Sequence, residues 1–115
     1  MKISEDGQLL RIFIGESDRW QGKPLYEAIV LKAREMGIAG ATMLRGLMGF
    51  GAASRIHTAK ILRLSMDLPI VIEIVDSEEK LNAFLPDLEK MIGGGLVTLE
   101  KIKVIQYQHE KRNAK

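Results

Sequence analysis

Alternation of apolar and polar positions with a period of two indicates β-strands at four places along the chain. Residues 8–14 show the clearest alternation. Residues 70–75 are nearly apolar on both sides, so both faces of that strand should be covered. Residues 41–48 and 96–105 follow the pattern less cleanly, and we expect the last strand to be interrupted near Glu100.

Apolar residues at helical spacing predict two helices. The first spans residues 24–36, with Pro24 at its first turn and Gly37 just past its end. The second follows Asp76 or Ser77, either of which can cap it, and Pro86 inside it predicts a kink or a restart. Its apolar stripe consists of Leu81, Phe84, Leu85, Leu88 and Ile92.

The predicted order is strand, helix, strand, strand, helix, strand. Two right-handed strand–helix–strand units in one small sheet give an α+β, ferredoxin-like sandwich, with an antiparallel four-stranded sheet and two helices on one face. The other face stays apolar and must meet something, most simply copies of the same chain. The residues expected on that face are either Leu9, Phe13, Leu44, Val71 and Val75 or the residues that alternate with them.

Length and composition describe an ordinary single domain. The chain has 115 residues, which we interpret as one domain over residues 1–115, with an ordered core at about 8–107 and a long loop at about 49–67. It has no cysteine, which excludes disulfides and thiolate metal sites and is compatible with a cytoplasmic location. No apolar run approaches the ~20 residues of a membrane span.

No arrangement of residues typical of catalysis is visible. No serine lies in a nucleophile-elbow pattern, and two histidines, His57 and His109, are too few for a metal cluster. We therefore expect neither an enzyme nor a metal site. The net charge is +2, and the chain has only three Phe, two Tyr and one Trp, so base stacking and nucleic-acid binding are disfavoured.

The distribution of charge points to a small anion. No acidic residue occurs between Glu35 and Asp67, and that window holds five of the eleven glycines. Exposed backbone N–H groups and cations together suit a phosphate, although a solvated surface loop would show the same composition. The basic residues of the window are Arg45, Arg55, His57, Lys60 and Arg63.

Two glycine clusters stand next to predicted strands. One comprises Gly46, Gly49 and Gly51, and the other is the run Gly93, Gly94 and Gly95. Neither is a Walker motif or a dinucleotide fingerprint, because the lysine and the following helix are missing. The spacing alone favours a plain helix stop and a hairpin-like turn for the second cluster.

Three separated motifs, at residues 15–25, 41–57 and 67–76, resemble the uncharacterised prokaryotic family known as domain of unknown function 190. The resemblance covers about residues 8–107. That family is regarded as PII-like, similar to the trimeric nitrogen-signalling proteins. The resemblance implies a ferredoxin-like subunit, a trimer packed sheet to sheet, and adenine nucleotide (ATP, ADP or AMP) bound in clefts between subunits.

The resemblance also implies which residues form the cleft. The base of the loop corresponds to residues 45–51 and the glycine-rich turn to residues 92–95, with Lys101 and Lys103 as the nearest basic residues on the final strand. Leu96 stands where PII proteins have a phosphate-binding lysine, and residues 49–67 lack the uridylylated tyrosine. The implied nucleotide-binding set is Arg45, Gly46, Gly49, Phe50, Gly51, Arg55, Gly93, Gly94, Gly95, Lys101 and Lys103.

Three functions remain open from the sequence. The first is a trimeric, PII-like regulator that binds an adenine nucleotide and presents a ligand-responsive loop to a partner. Family members often have genes near fluoride-exporter genes, so the implied partner is a membrane channel or transporter, or another regulated protein. The loop residues expected to meet that partner are His57, Lys60 and Arg63. The second is an interaction module without nucleotide, in which Arg55, Lys60 and Arg63 meet an acidic partner surface. An enzyme of phosphate chemistry is the third.

Overall fold

The computed structural model describes residues 5–50 and 67–107. Four strands form one antiparallel sheet in the order β4-β5-β1-β6, two helices pack on it, and a two-stranded hairpin follows β1. The elements are β1 (Asp6–Gly15), β2 (Arg19–Trp20), β3 (Lys23–Pro24), α1 (Leu25–Glu35), β4 (Gly40–Arg45), β5 (Pro69–Asp76), α2 (Glu78–Met91) and β6 (Leu96–Lys103).

The core lies between the sheet and the two helices. Ile12 pairs with Ile72 of β5 on one side and with Val97 of β6 on the other, so their side chains share one face. Alternate residues of β1 and β5 are fully buried there, and they meet the apolar stripes of both helices. This arrangement confirms the predicted ferredoxin-like sandwich. The most deeply buried apolar residues are Leu10, Ile12, Ile29, Ile70, Ile72, Ile74, Leu81 and Phe84.

Several predicted element boundaries are wrong. The second predicted strand, 41–48, ends at Arg45, because the next residue, Gly46, turns its N–H onto the carbonyl of Pro69. The last strand is not interrupted near Glu100, which pairs with Leu9 across the sheet. Its end, Lys103, is earlier than predicted.

The second helix is continuous through Pro86, so the expected restart is absent. Ser77 is the cap, and its hydroxyl accepts a hydrogen bond from the Lys80 N–H at 3.2 Å. Asp76, the other candidate, is fully buried, and its carboxylate accepts from the N–H groups of Ala39 and Ser77 at 2.8 and 2.6 Å. Asp76 therefore joins the start of β4 to the end of β5.

The face of the sheet opposite the helices is open. Its centre is charged, because Arg11 donates to Glu73 at 2.9 Å and to Glu100 at 3.0 Å. The hydrogen bond to Glu73 raises the pKa of Arg11, so the guanidinium stays cationic. The apolar side chains around this ion group are Leu9, Phe13, Leu44, Val71, Val75 and Leu96, as register with β1 and β5 requires.

Candidate functional site

The two ends of the connection between β4 and β5 lie side by side. Arg45 pairs with Ile70, and the Gly46 N–H donates to the carbonyl of Pro69 at 2.7 Å. A Cβ on Gly46 would lie 2.9 Å from Cγ of Pro69, closer than side-chain contacts allow. A larger residue at position 46 would therefore push the two ends of the connection apart.

The turn after β1 holds this base in place. The Glu16 N–H donates to the carbonyl of Leu68 at 2.8 Å, and the Ser17 N–H donates to the carboxylate of Asp67 at 2.7 Å. Gly15 fits closely under the same carboxylate, because an added Cβ would be 2.6 Å from Oδ1 of Asp67. We call residues 15–18, 45–46 and 67–69 the loop base.

Of the predicted site cations that the structure describes, Arg45 lies at the loop base. Its Nη2 donates to Oε2 of Glu16 at 2.6 Å, and about half of its side chain is exposed. The guanidinium therefore faces solvent on one side and a carboxylate of its own chain on the other. An anion arriving from solvent would compete with Glu16 for it.

Apolar side chains follow the loop base. Leu47, Met48 and Phe50 are exposed to 89%, 62% and 72%. Gly49 lies beside Pro69, with a Cβ position 3.3 Å from its Cγ. Large exposed apolar residues in sequence indicate a contact surface.

The second glycine cluster forms the turn between α2 and β6. Gly95 has φ +130°, and a Cβ there would lie 2.6 Å from the carbonyl oxygen of Phe13, so position 95 requires glycine for the fold. Gly93 differs, because nothing lies within 4 Å of its Cβ position and its φ is not positive. Gly93 therefore leaves backbone open to a ligand, whereas Gly95 packs against β1.

The described glycines of the first cluster, Gly46 and Gly49, lie at the same end of the sheet as the second cluster but at the opposite edge. This end is where β1 and β4 finish and where β5 and β6 begin, as the pairing of Arg45 with Ile70 and of Phe13 with Leu96 shows. Strands β5 and β1 lie between the two edges, which at ~4.8 Å per strand spacing separates β4 from β6 by about 14 Å. One chain therefore does not bring the two clusters into one cleft, and a site built from both needs two chains.

The predicted cations of the final strand lie elsewhere on β6. Lys101 pairs with Gln8 and Lys103 with Asp6, and the Lys103 ammonium is 3.7 Å from the Glu5 carboxylate. Six residues of strand put Lys101 about 20 Å from Gly95. Within the chain these lysines are thus remote from the turn. The remaining predicted residues, Gly51, Arg55, His57, Lys60 and Arg63, lie outside the described residues.

Sequence reasoning missed the acidic half of the loop base. No role is assigned to Glu16 or Asp18 from the sequence, and Asp67 serves there only as the end of the acid-free window. Asp18 accepts from the Gly15 N–H at 3.0 Å, which closes the turn. The sequence did contain a signal. Glu16 and Asp18 come directly after the first predicted strand, and Asp67 comes shortly before the third.

Two searches of the described part of the chain gave negative results. Over residues 5–50 and 67–107, no three His, Cys, Asp or Glu side chains come together in a way that could hold a metal ion. None of the helices in these ranges is long and apolar enough to cross a membrane.

Comparison with known proteins places the chain in a family. The model of the family DUF190, described as "Uncharacterized ACR", matches residues 7–104. A "UPF0166 protein" of Aquifex aeolicus (strain VF5) is 42% identical over 98 residues, covering 85% of this chain and 92% of its own. A second UPF0166 protein, of Methanocaldococcus jannaschii, is 37% identical, covering 80% and 85%.

Among solved structures, the chain is similar to CPII, a nitrogen regulatory PII-like protein from Thiomonas intermedia K12, bound to ADP, AMP and bicarbonate. The TM-score is 0.58 at 20% identity, with 88% of this chain and 94% of that chain covered. At that identity the likeness concerns the fold. The family match and the relatives agree with this fold assignment, and the chain belongs to the DUF190 family and has a PII-like fold.

Proposed function

We propose that this protein is a PII-like regulatory protein of the cytoplasm, not an enzyme, which binds an adenine nucleotide in clefts between the subunits of a trimer. The connection between β4 and β5 then presents the bound state to a partner protein. One observation carries the proposal: two glycine clusters stand at the same end of the sheet on opposite edges, so two neighbouring chains would bring them together.

The open sheet face supports association of copies. Phe13, Val71 and Leu44 follow each other across three neighbouring strands, and leaving such apolar area in water costs roughly 25 cal/mol per Å². Arg11 already has both of its carboxylate partners within its own chain, so the ion group needs no charge from a second copy. The number of copies, three, follows from the resemblance to PII proteins.

The nucleotide is inferred from chemistry and from the solved relative. A partly exposed guanidinium at Arg45 and open backbone at Gly93 are the kinds of donor that bind phosphate. CPII, which shares the fold, was solved with ADP and AMP. Leu96, exposed to 54% where PII proteins have lysine, leaves Arg45 as the main phosphate contact that we assign within residues 5–50 and 67–107.

The loop base gives a route from ligand to partner. A phosphate that takes Arg45 away from Glu16 changes a contact of the turn that also holds Leu68 and Asp67. Such a change at the base of the connection alters what residues 49–67 present, which is how ligand-responsive segments signal. A membrane channel or transporter, or another regulated protein, is the partner class. Uridylylation is not expected, because this segment has no tyrosine.

Thermal unfolding with and without nucleotide tests the proposal. A ligand at 100 times its dissociation constant stabilises the folded state by about 2.7 kcal/mol, so AMP, ADP or ATP should raise the melting temperature. Arg45→Gln should reduce the shift, while Lys32→Gln, which removes a cation of an exposed pair on α1, should not. No shift with any adenine nucleotide would contradict nucleotide binding.

A second candidate is an interaction module that binds a protein without nucleotide. The exposed apolar group Leu47, Met48 and Phe50 favours it, because such side chains suit a protein contact better than a phosphate. A native trimer with no nucleotide-dependent change in melting would select this candidate.

A further inference from the structure

We propose that Glu16 acts as a built-in competitor for the anion at Arg45 and thereby makes the site prefer phosphates of low charge. The preferred ligands would be a nucleoside mono- or diphosphate rather than a triphosphate. This inference rests on the proposed function, since it concerns the same site and names its ligand class.

The backbone fixes where the Glu16 carboxylate stands. Its own N–H is held by the carbonyl of Leu68, and the next N–H, of Ser17, is held by Asp67. From this fixed turn the side chain reaches Nη2 of Arg45 at 2.6 Å and is 27% exposed, against 51% for Arg45. The carboxylate therefore occupies the inner side of the guanidinium, and its fixed backbone keeps it within a side chain's length of Arg45.

Three donors of the loop base are already taken by carboxylates. Asp18 accepts from the Gly15 N–H, Asp67 from the Ser17 N–H and Glu16 from Arg45. Among residues 5–50 and 67–107, an anion arriving at this base meets one guanidinium and three carboxylates. The carboxylates repel an anion more strongly as the charge of the anion rises. Each added phosphate group therefore contributes less binding free energy here than at a purely basic site.

In the part of the chain that the structure describes, the other half of the proposed cleft does not offset this charge. Leu96, in the place of the PII lysine, is apolar and exposed, and Lys101 and Lys103 lie at the far end of β6. An exposed ion pair such as Glu16 with Arg45 is weak, so a phosphate can displace the carboxylate from the guanidinium. The displaced carboxylate still stays near the bound ligand. The site therefore discriminates between ligands by the charge of their phosphates.

Calorimetric titration of AMP, ADP and ATP, without magnesium, into the native trimer and Glu16→Gln tests this. The native protein should bind ATP no more tightly than ADP. Glu16→Gln should lower the dissociation constant of ATP by about three- to fivefold and that of AMP by a smaller factor. Glu35→Gln, which removes the acid of the exposed Lys32 pair on α1, is the matched control and should change none of the three. Equal affinities of the native protein and Glu16→Gln for all three would overturn the inference.

A double variant and a second probe separate this inference from the proposed function. The gain from Glu16→Gln should become smaller in the presence of Arg45→Gln, because the competition acts through that guanidinium; an undiminished gain would overturn the inference. Titration with inorganic pyrophosphate, followed by NMR of the Arg45 Nε–H group, needs no adenine site. A larger shift in Glu16→Gln than in the native protein supports the competition even if no nucleotide binds, in which case the proposed function alone fails. No shift in either protein overturns the inference, whereas the proposed function is then decided by the nucleotide titrations alone.

Discussion

Asp67 and Ser17 are joined by a hydrogen bond of 2.7 Å from the Ser17 N–H to the Asp67 carboxylate, across 50 positions of sequence. This bond ties the residue that precedes β5 to the turn that follows β1. The adjacent bond from the Glu16 N–H to the Leu68 carbonyl reinforces it. The end of the β4–β5 connection is thereby anchored to a turn that neither belongs to the connection nor borders it in sequence.

Asp67→Ala should lower the free energy of unfolding by about 1 kcal/mol, because it removes a charge-assisted bond whose donor stays exposed to water. Urea denaturation followed by circular dichroism measures it. Glu89→Ala, which removes an exposed acid of α2, is the control and should stay within about 0.5 kcal/mol. Equal stability of Asp67→Ala and the native protein would mean that the anchor does not contribute.

The glycine turn should divide into a structural and a ligand-facing residue. Gly95→Ala should cost about 1–3 kcal/mol of stability, because its φ is +130° and the new Cβ would meet the Phe13 carbonyl. Gly93→Ala should leave stability within about 0.5 kcal/mol. Urea midpoints for the two variants compare them directly, and a Gly93 variant as unstable as the Gly95 variant would contradict this division.

The open sheet face should control assembly. Val71→Glu introduces a carboxylate opposite Phe13 and Leu44, and burying it unpaired should weaken trimer association by about 100-fold or more. Leu31→Glu places the same charge on α1, where the side chain is 48% exposed, and should leave the trimer intact. Sedimentation velocity distinguishes the species. A Val71→Glu protein that remains as associated as the native chain would exclude this face as the interface.

The sequence predicted those elements of the fold that residues close together in sequence determine. The apolar stripe Leu81, Phe84 and Leu88 predicted α2, and the burial of these residues keeps the helix whole although Pro86 removes one backbone hydrogen bond. The predicted interruption near Glu100 was wrong for a tertiary reason. Glu100 lies on the open face, where it reaches Arg11, so a polar residue there marks an ion pair and not a break.

The candidate site was predicted only in part, because its contacts are long-range. Arg45 and the glycine turns were visible as residue types next to strands. Their relation across the sheet depends on the strand order, which no local pattern contains. The pairing of Arg45 with Glu16, 29 positions apart, likewise appears only once β1 and β4 end at the same side of the fold.

Mixed trimers decide whether two chains contribute to each nucleotide site. Arg45→Gln removes the contribution of the β4 edge, and Gly93→Asp adds a carboxylate in the open space at the β6 edge. Each variant alone should bind adenine nucleotide weakly or not at all. Trimers reassembled from an equal mixture should regain native affinity in about a quarter of their clefts, those that combine the intact half of each variant. Calorimetry that finds no recovered sites in the mixture, although each variant alone has lost binding, would contradict a site built from two chains.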